Sequence, residues 1–159
     1  MSTIADKPNI ADKPDIADKP DSGGLRVVRP GAPFRGKQGH VYSPAIFAES
    51  VGAKGIHMQF VTIPPGEIGK AHKHEAHETA IHILQGVSGV WYGDELEHHQ
   101  VAGAGDFVYI AANVPHMPYN MSTTEDVIAI IARTDPNEQE SVVLLPDLEA
   151  AHAKQASTV

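Results

Sequence analysis

The sequence predicts one all-β domain, built as a sandwich or barrel of short strands. Between residues 55 and 145 the chain is a series of short stretches rich in β-branched, aliphatic and aromatic residues. Glycine and proline separate these stretches at close intervals, as turns between strands require. A helical composition is found only at residues 147–155, where helix formers follow an acidic start. Many short strands with almost no helix are typical of a sandwich or a barrel.

The strand predictions follow the chain in order. Residues 22–54 carry glycine, proline and short apolar runs, and they predict irregular structure with one or two edge strands. Residues 126–133 are strongly β-branched and predict a central strand. Another strand is expected in the apolar segment that follows Glu78. The remaining predicted strands are residues 55–63, 87–92, 97–101, 106–110, 116–121 and 141–145.

These elements divide the chain into three parts. Residues 4–21 repeat the pattern IADKP three times, with proline in each copy. Such a polar, proline-punctuated repeat buries too little apolar surface to fold alone, so residues 1–21 are predicted to be a low-complexity tail. The all-β domain is assigned to residues 22–145, and a C-terminal helix or tail to residues 146–159.

Composition restricts the classes of function. Twenty acidic residues against twelve basic ones give a formal charge of −8, which disfavours a nucleic-acid partner. The chain has no cysteine, so disulfides and thiolate ligands are excluded and any metal must bind nitrogen and oxygen. No apolar run approaches the length of a membrane span, so no membrane partner is expected. The N-terminus lacks the pattern of a secretory signal, and a cytoplasmic location is the default expectation.

A first chemical motif lies between two glycines, Gly66 and Gly86. His72 and His74 are two residues apart, and Glu78 follows four residues after the second histidine. Residues i and i+2 of a strand point to one face, about 6.5 Å apart, which suits two imidazoles that converge on one ion. The prolines and glycines upstream oppose the alternative of a helix.

A second motif runs from Gly105 to Asn120 and includes a strand, a tight turn and His116. Together the two motifs resemble those of the cupin superfamily, over roughly residues 55–133. The resemblance implies that the domain is a jelly roll, the double-stranded β-helix. Asn113 stands where the family has glycine, and asparagine is the best non-glycine residue for a left-handed backbone position. The second motif otherwise departs only at Ala111, where proline is usual.

The first motif departs from the family once. Seven residues, rather than six, separate Glu78 from Gly86. Counted from His74, Glu78 takes the family's ligand position; counted back from Gly86, Thr79 takes it. A one-residue slip turns over every side chain of a strand, so either a β-bulge absorbs the extra residue or Glu78 is not a ligand. We favour ligation by Glu78, with a role as proton shuttle as the alternative.

The resemblance implies a metal site formed by His72, His74, Glu78 and His116. Such a set of imidazoles and one carboxylate suits one divalent transition metal, with Fe(II) or Mn(II) favoured and Ni(II), Cu(II) or Zn(II) possible. Two groups are candidate catalytic residues, Glu78 and His82. His82 faces the cavity if Glu78 does, as acid, base or substrate clamp. If the count from Gly86 holds, Ile81 and Ile83 line the cavity and His82 faces away.

Function follows from the resemblance only in outline. It implies a metal-dependent enzyme for a small enolisable or carboxylate-bearing molecule, with a dioxygenase-type oxidoreductase favoured. Isomerases, decarboxylases and lyases that use the metal as a Lewis acid are alternatives, as is a non-catalytic small-molecule-binding module of the same fold. The resemblance and the need of edge strands for cover also predict a homodimer.

Overall fold

The computed structural model describes residues 24–137 and 141–156, and the predicted tail over residues 1–21 lies outside this part. The described residues form eleven strands and two helices. The helices are α1 (Ala48–Val51) and α2 (Pro146–Ala156). In chain order the strands are β1 (Phe34–Arg35), β2 (Val41–Ile46), β3 (His57–Ile63), β4 (His72–His74), β5 (Thr79–Gln85), β6 (Val87–Tyr92), β7 (His98–Gly103), β8 (Phe107–Ile110), β9 (His116–Asn120), β10 (Val127–Arg133) and β11 (Val142–Leu144).

The strands form two antiparallel sheets that make a jelly roll, so the predicted fold class is confirmed. One sheet has six strands in the order β1-β2-β3-β10-β5-β8, and the other has five in the order β11-β4-β9-β6-β7. The β-branched strand β10 pairs with both β3 and β5 and is therefore central, as its composition predicts. The predicted C-terminal helix is α2. No helix in the described ranges is long and apolar enough to cross a membrane.

The main core lies between the two sheets, and strand β3 shows how it is filled. Its burial alternates, so that His57, Gln59, Val61 and Ile63 face inward. Val61 and Ile63 join an apolar cluster with Val127 and other buried side chains. The inner face of β3 is therefore polar at one end and apolar at the other.

A second, smaller core connects helix α2 to the five-stranded sheet. Ala71, Leu96 and Met117 are buried there, and Leu148 of α2 packs against them. The backbone N–H of Ala71 also donates a hydrogen bond to Glu149 Oε2 (3.1 Å). Because Ala71 immediately precedes β4, the helix helps to fix the start of the strand that carries two of the motif histidines.

Candidate metal centre

Three predicted metal ligands, His72, His74 and His116, converge in the interior. His72 and His74 are the two ends of β4 and point to the same side, and His116 begins β9 directly opposite His72. One ring nitrogen from each histidine can be chosen so that all three lie within 4.8 Å of one another. All three side chains are buried.

Hydrogen bonds orient two of these rings. His72 Nδ1 lies 2.7 Å from the carbonyl oxygen of Lys70, and His116 Nδ1 lies 2.9 Å from that of Val114. A carbonyl oxygen only accepts, so each Nδ1 carries the proton and donates it. The Nε2 lone pair of each ring is then available to a metal, which is the usual arrangement for a histidine ligand held by a backbone carbonyl.

The environment keeps the three imidazoles neutral, which is the form that binds metals. Burial lowers the pKa of His74 to about 3. Burial also lowers the pKa of His116. The pKa of His72 lies well below its usual value because the ring is buried and because His116 is next to it. The donor set, its convergence and its protonation state all fit a divalent transition metal.

The backbone of the motif turns takes left-handed conformations at the expected positions. Gly86 and Gly105 have φ angles of 80° and 98°, which side-chain-bearing residues rarely adopt. Asn113, the residue that replaces the family's glycine, has a φ of 64°, as the sequence predicts. Its N–H donates to the carbonyl oxygen of His74 (2.8 Å), so this turn joins the second motif to the first.

Glu78 lies outside the histidine cluster, which corrects the expectation that it is a fourth ligand or a proton shuttle. Its side chain is exposed, and its Oε1 accepts a hydrogen bond from the hydroxyl of Tyr109 (2.6 Å). Thr79 is buried and lines the cavity instead. The extra residue is taken up before β5, in a turn where Ala76 has a φ of 60°. The count back from Gly86 therefore describes the register of β5.

Because β5 has this register, the side chain of His82 faces away from the cavity. Its ring stacks on Phe107 with centroids 4.2 Å apart, and its Nδ1 lies 3.2 Å from the carbonyl oxygen of Asp106. The inward residues of β5 are Ile81 and Ile83. The pairing with β10 does contain a β-bulge, but it falls after Ile83 and does not turn His82 inward. The expected catalytic position of His82 is corrected accordingly.

The histidine cluster forms one wall of an interior cavity of about 80 Å³. Most of the lining is aliphatic, contributed by the inner faces of both sheets. The polar lining residues besides the three histidines are Gln38, His40, Gln59, Thr79 and Ser88.

Most of these polar residues carry no sequence signal for a site. Gln38 and His40 lie in the irregular segment before the motifs, where no spacing marks them. Gln59 lies on a strand whose inward face is not decided by the alternation of residues. Thr79 is the one that sequence reasoning reaches, by the count from Gly86.

A buried polar network closes the polar end of β3. His57 is fully buried, with its Nε2 3.2 Å from Gln59 Oε1 and its Nδ1 3.1 Å from Arg133. Arg133 also donates to the carbonyl oxygen of Asn137. His57 is therefore a structural histidine with hydrogen-bond partners at both ring nitrogens.

Solved structures of oxalate decarboxylases and of an oxalate oxidase are similar in fold to this chain. Lactobacillus farciminis oxalate decarboxylase in a formate complex matches with a TM-score of 0.61 and 21% identity, over 80% of this chain and 37% of that one. A mutant of Bacillus subtilis oxalate decarboxylase matches with a TM-score of 0.59 and 19% identity, over 72% of this chain and 30% of that one. Recombinant oxalate oxidase with glycolate matches with a TM-score of 0.58 and 19% identity, over 70% and 57% of the two chains.

These matches concern the fold, and the chain spans only about a third of the decarboxylases. Another matched structure of the Bacillus subtilis enzyme concerns its Mn(II) centres. No curated protein sequence matches this chain. The family model described as the cupin domain matches residues 59–132, which hold all three histidines of the cluster. With its jelly roll and its buried three-histidine site, the chain contains a cupin domain.

Proposed function

We propose that the protein is a metal-dependent cupin enzyme acting on a small enolisable or carboxylate-bearing molecule, as a dioxygenase-type oxidoreductase. The observation that carries the proposal is the buried triad of His72, His74 and His116. Thr79, which the count back from Gly86 assigns to the carboxylate ligand's position, lines the same cavity. Three imidazoles fill only part of a coordination sphere, so positions remain for a substrate. Fe(II) or Mn(II) is the proposed ion.

Charge supports an anionic substrate. All three ligands are neutral, so a divalent ion would keep its double positive charge in a mostly aliphatic cavity. Burying an uncompensated charge is unfavourable. A carboxylate or an enolate would supply the missing negative charge, which the threonine hydroxyl does not.

The size of the cavity supports a small substrate. Pockets for drug-sized ligands measure about 300–1,000 Å³, whereas this cavity is about 80 Å³. The aliphatic inner faces of β5, β8 and β10 would exclude water and leave few polar contacts for the substrate. A molecule of a few carbon atoms with one or two oxygen-bearing groups suits this space.

The choice of a dioxygenase-type reaction rests on what the cavity lacks. No aspartate or glutamate is among its lining residues in the described part of the chain. Among the described lining residues, His40 is an imidazole outside the metal cluster that could transfer a proton. Isomerases, decarboxylases and lyases that need a carboxylate acid or base as well as the metal are therefore disfavoured. When bound, Fe(II) would supply Lewis acidity and a redox-active ion, while the organic substrate would be the source of the electrons that reduce dioxygen.

The test is oxygen consumption by protein reconstituted with Fe(II) or Mn(II) in separate samples. The panel contains pyruvate, a β-diketone and oxalate, the last because the matched structures are oxalate enzymes. We expect oxygen uptake that depends on metal and substrate and is lost in His74→Ala. Turnover that continues without oxygen would instead support the Lewis-acid alternative, and no turnover with any metal would support a binding module.

A further inference from the structure

The cavity contains a fourth imidazole that the metal centre does not use. His40 is only 3% exposed and lines the same cavity as the three clustered histidines. Neither of its ring nitrogens has a hydrogen-bond partner among the described residues. It is not part of the group whose nitrogens lie within 4.8 Å of one another. It also lies outside the matched family region, residues 59–132.

The fold ties His40 to the metal-binding strand through backbone hydrogen bonds. The carbonyl oxygen of His40 accepts from Gly36 N (2.9 Å), which closes the turn between β1 and β2. In the same turn, the carbonyl oxygen of Gln38 accepts from Lys70 N (2.9 Å). Lys70 in turn orients His72 through its own carbonyl oxygen. The turn that presents His40 and the loop that orients a ligand are thus directly connected.

Gly69 has no side chain, and this leaves space for the His40 ring. A Cβ atom at position 69 would lie 2.5 Å from His40 Nε2 and 2.9 Å from the carbonyl oxygen of Pro118. Gly69 itself is fixed, because its N–H donates to that same carbonyl oxygen (2.8 Å). The absence of a side chain here allows the imidazole to occupy a closely packed place on the cavity wall.

Chemistry points to a ligand for this ring. A buried polar group without a partner is unfavourable, so a molecule that pairs with His40 would gain binding energy that an aliphatic wall cannot give. Burial lowers the pKa of His40 to about 4, so the ring is neutral. A neutral imidazole both donates and accepts, and it can therefore donate to a carboxylate or enolate oxygen.

We propose that His40 is a substrate-binding residue that donates a hydrogen bond to the oxygen-bearing end of a small anionic substrate in the metal-containing cavity. This inference rests on the proposed function and names the residue that positions the substrate from the wall. Selectivity for oxygen-bearing molecules over hydrocarbons of equal size would then depend on His40 as well as on the metal.

The experiment titrates Mn(II)-loaded full-length protein with oxalate and with pyruvate and follows the Mn(II) electron paramagnetic resonance signal. The variants are His40→Leu, which removes the polar atoms, and His40→Gln, which keeps a donor. His82→Ala, on the outer face, is the control. In His40→Leu we expect one metal per chain and a Kd for the bound probe raised by roughly 10-fold or more. His40→Gln should recover part of this loss, and the control should match the parent.

Several results would overturn the inference. A Kd in His40→Leu equal to that of the parent would show that the ring does not touch the ligand. Loss of metal in folded His40→Leu and His40→Gln would show that His40 serves the metal instead. Metal-loaded parent that binds neither probe would refute the anionic ligand class. If His40→Leu does not fold, His40→Ala serves as the second variant without polar ring atoms, and a parent-like Kd in folded His40→Ala would overturn the inference as well. If only the proposed function is wrong, the parent will bind a probe tightly but show no turnover in the oxygen-consumption test.

Discussion

The imidazole rings of His72 and His116 lie next to each other on two paired strands, with centroids 4.2 Å apart and planes inclined by 59°. Each ring is fixed by an Nδ1 hydrogen bond to the carbonyl oxygen two residues before it. The two ligands are thus positioned by the same local device on separate strands. Rings held in this way by backbone hydrogen bonds need little rearrangement to bind a metal.

Substitutions at the adjacent residues Glu78 and Thr79 test which of the two positions faces the metal site. Glu78→Gln should leave metal affinity unchanged and alter the free energy of unfolding by less than about 0.5 kcal/mol, as is usual for exposed positions. Thr79→Glu should raise metal affinity, because it places a carboxylate on the cavity wall. Without metal, the same buried carboxylate should destabilise the protein by about 2 kcal/mol or more. Calorimetric metal titration and denaturant unfolding measure both effects; loss of metal in Glu78→Gln would contradict the register.

Stability of the metal-free protein should fall as the pH falls from 6.5 to about 4. Burial, aided by the charge of Arg133, lowers the pKa of His57 to about 4. Between the two values the unfolded chain binds a proton that the folded protein does not, so each such group favours unfolding by about 1.4 kcal/mol per pH unit. The pKa of His40 is lowered in the same way, so this residue also reduces the stability of the folded protein as the pH falls.

The measurement is urea unfolding of chelator-treated protein across this pH range. The parent should lose stability steadily, and His57→Gln should show a shallower slope although it is less stable at neutral pH. Stability that rises or stays level as the pH falls would contradict a buried neutral His57.

The C-terminal helix should affect the metal centre through Glu149. Glu149→Ala removes the carboxylate that accepts from Ala71 N, the residue before His72. We expect a loss of about 1.5–3 kcal/mol of stability, the range for a hydrogen bond to a charged group, and faster release of metal to a chelator. Asp147→Ala, an exposed change in the same helix, should do neither. Identical release rates for both variants would show that the helix does not support the site.

A homodimer remains a prediction, and edge strand β8 is the proposed contact. Its residues Phe107 and Tyr109 are 79% and 65% exposed, which is unusual for aromatic side chains on a sheet edge. We expect light scattering to give a dimer mass for the parent and a monomer mass for a Phe107→Lys, Tyr109→Lys double variant. A monomeric parent at micromolar concentration would count against the pairing.

Sequence reasoning reaches the fold and the three histidines because their signals are local. Strand composition, motif spacing and the left-handed position of Asn113 each depend on a few neighbouring residues. The register of β5 cannot be predicted from a few neighbouring residues in this way. The extra residue could be accommodated before or after Thr79, and the structure shows that it is accommodated before β5, in the turn at Ala76. His40 lines the cavity because strands that are distant in the sequence pair with each other. No spacing of residues in the sequence predicts this position.

The most direct test of the account is metal content after purification without a histidine tag. Elemental analysis of the parent should find about one divalent transition metal per chain. His72→Ala, His74→Ala and His116→Ala should each lose it, whereas Glu78→Gln and His82→Ala should retain it. Full metal content in the three histidine variants, or loss of metal in the Glu78 variant alone, would contradict a three-histidine centre.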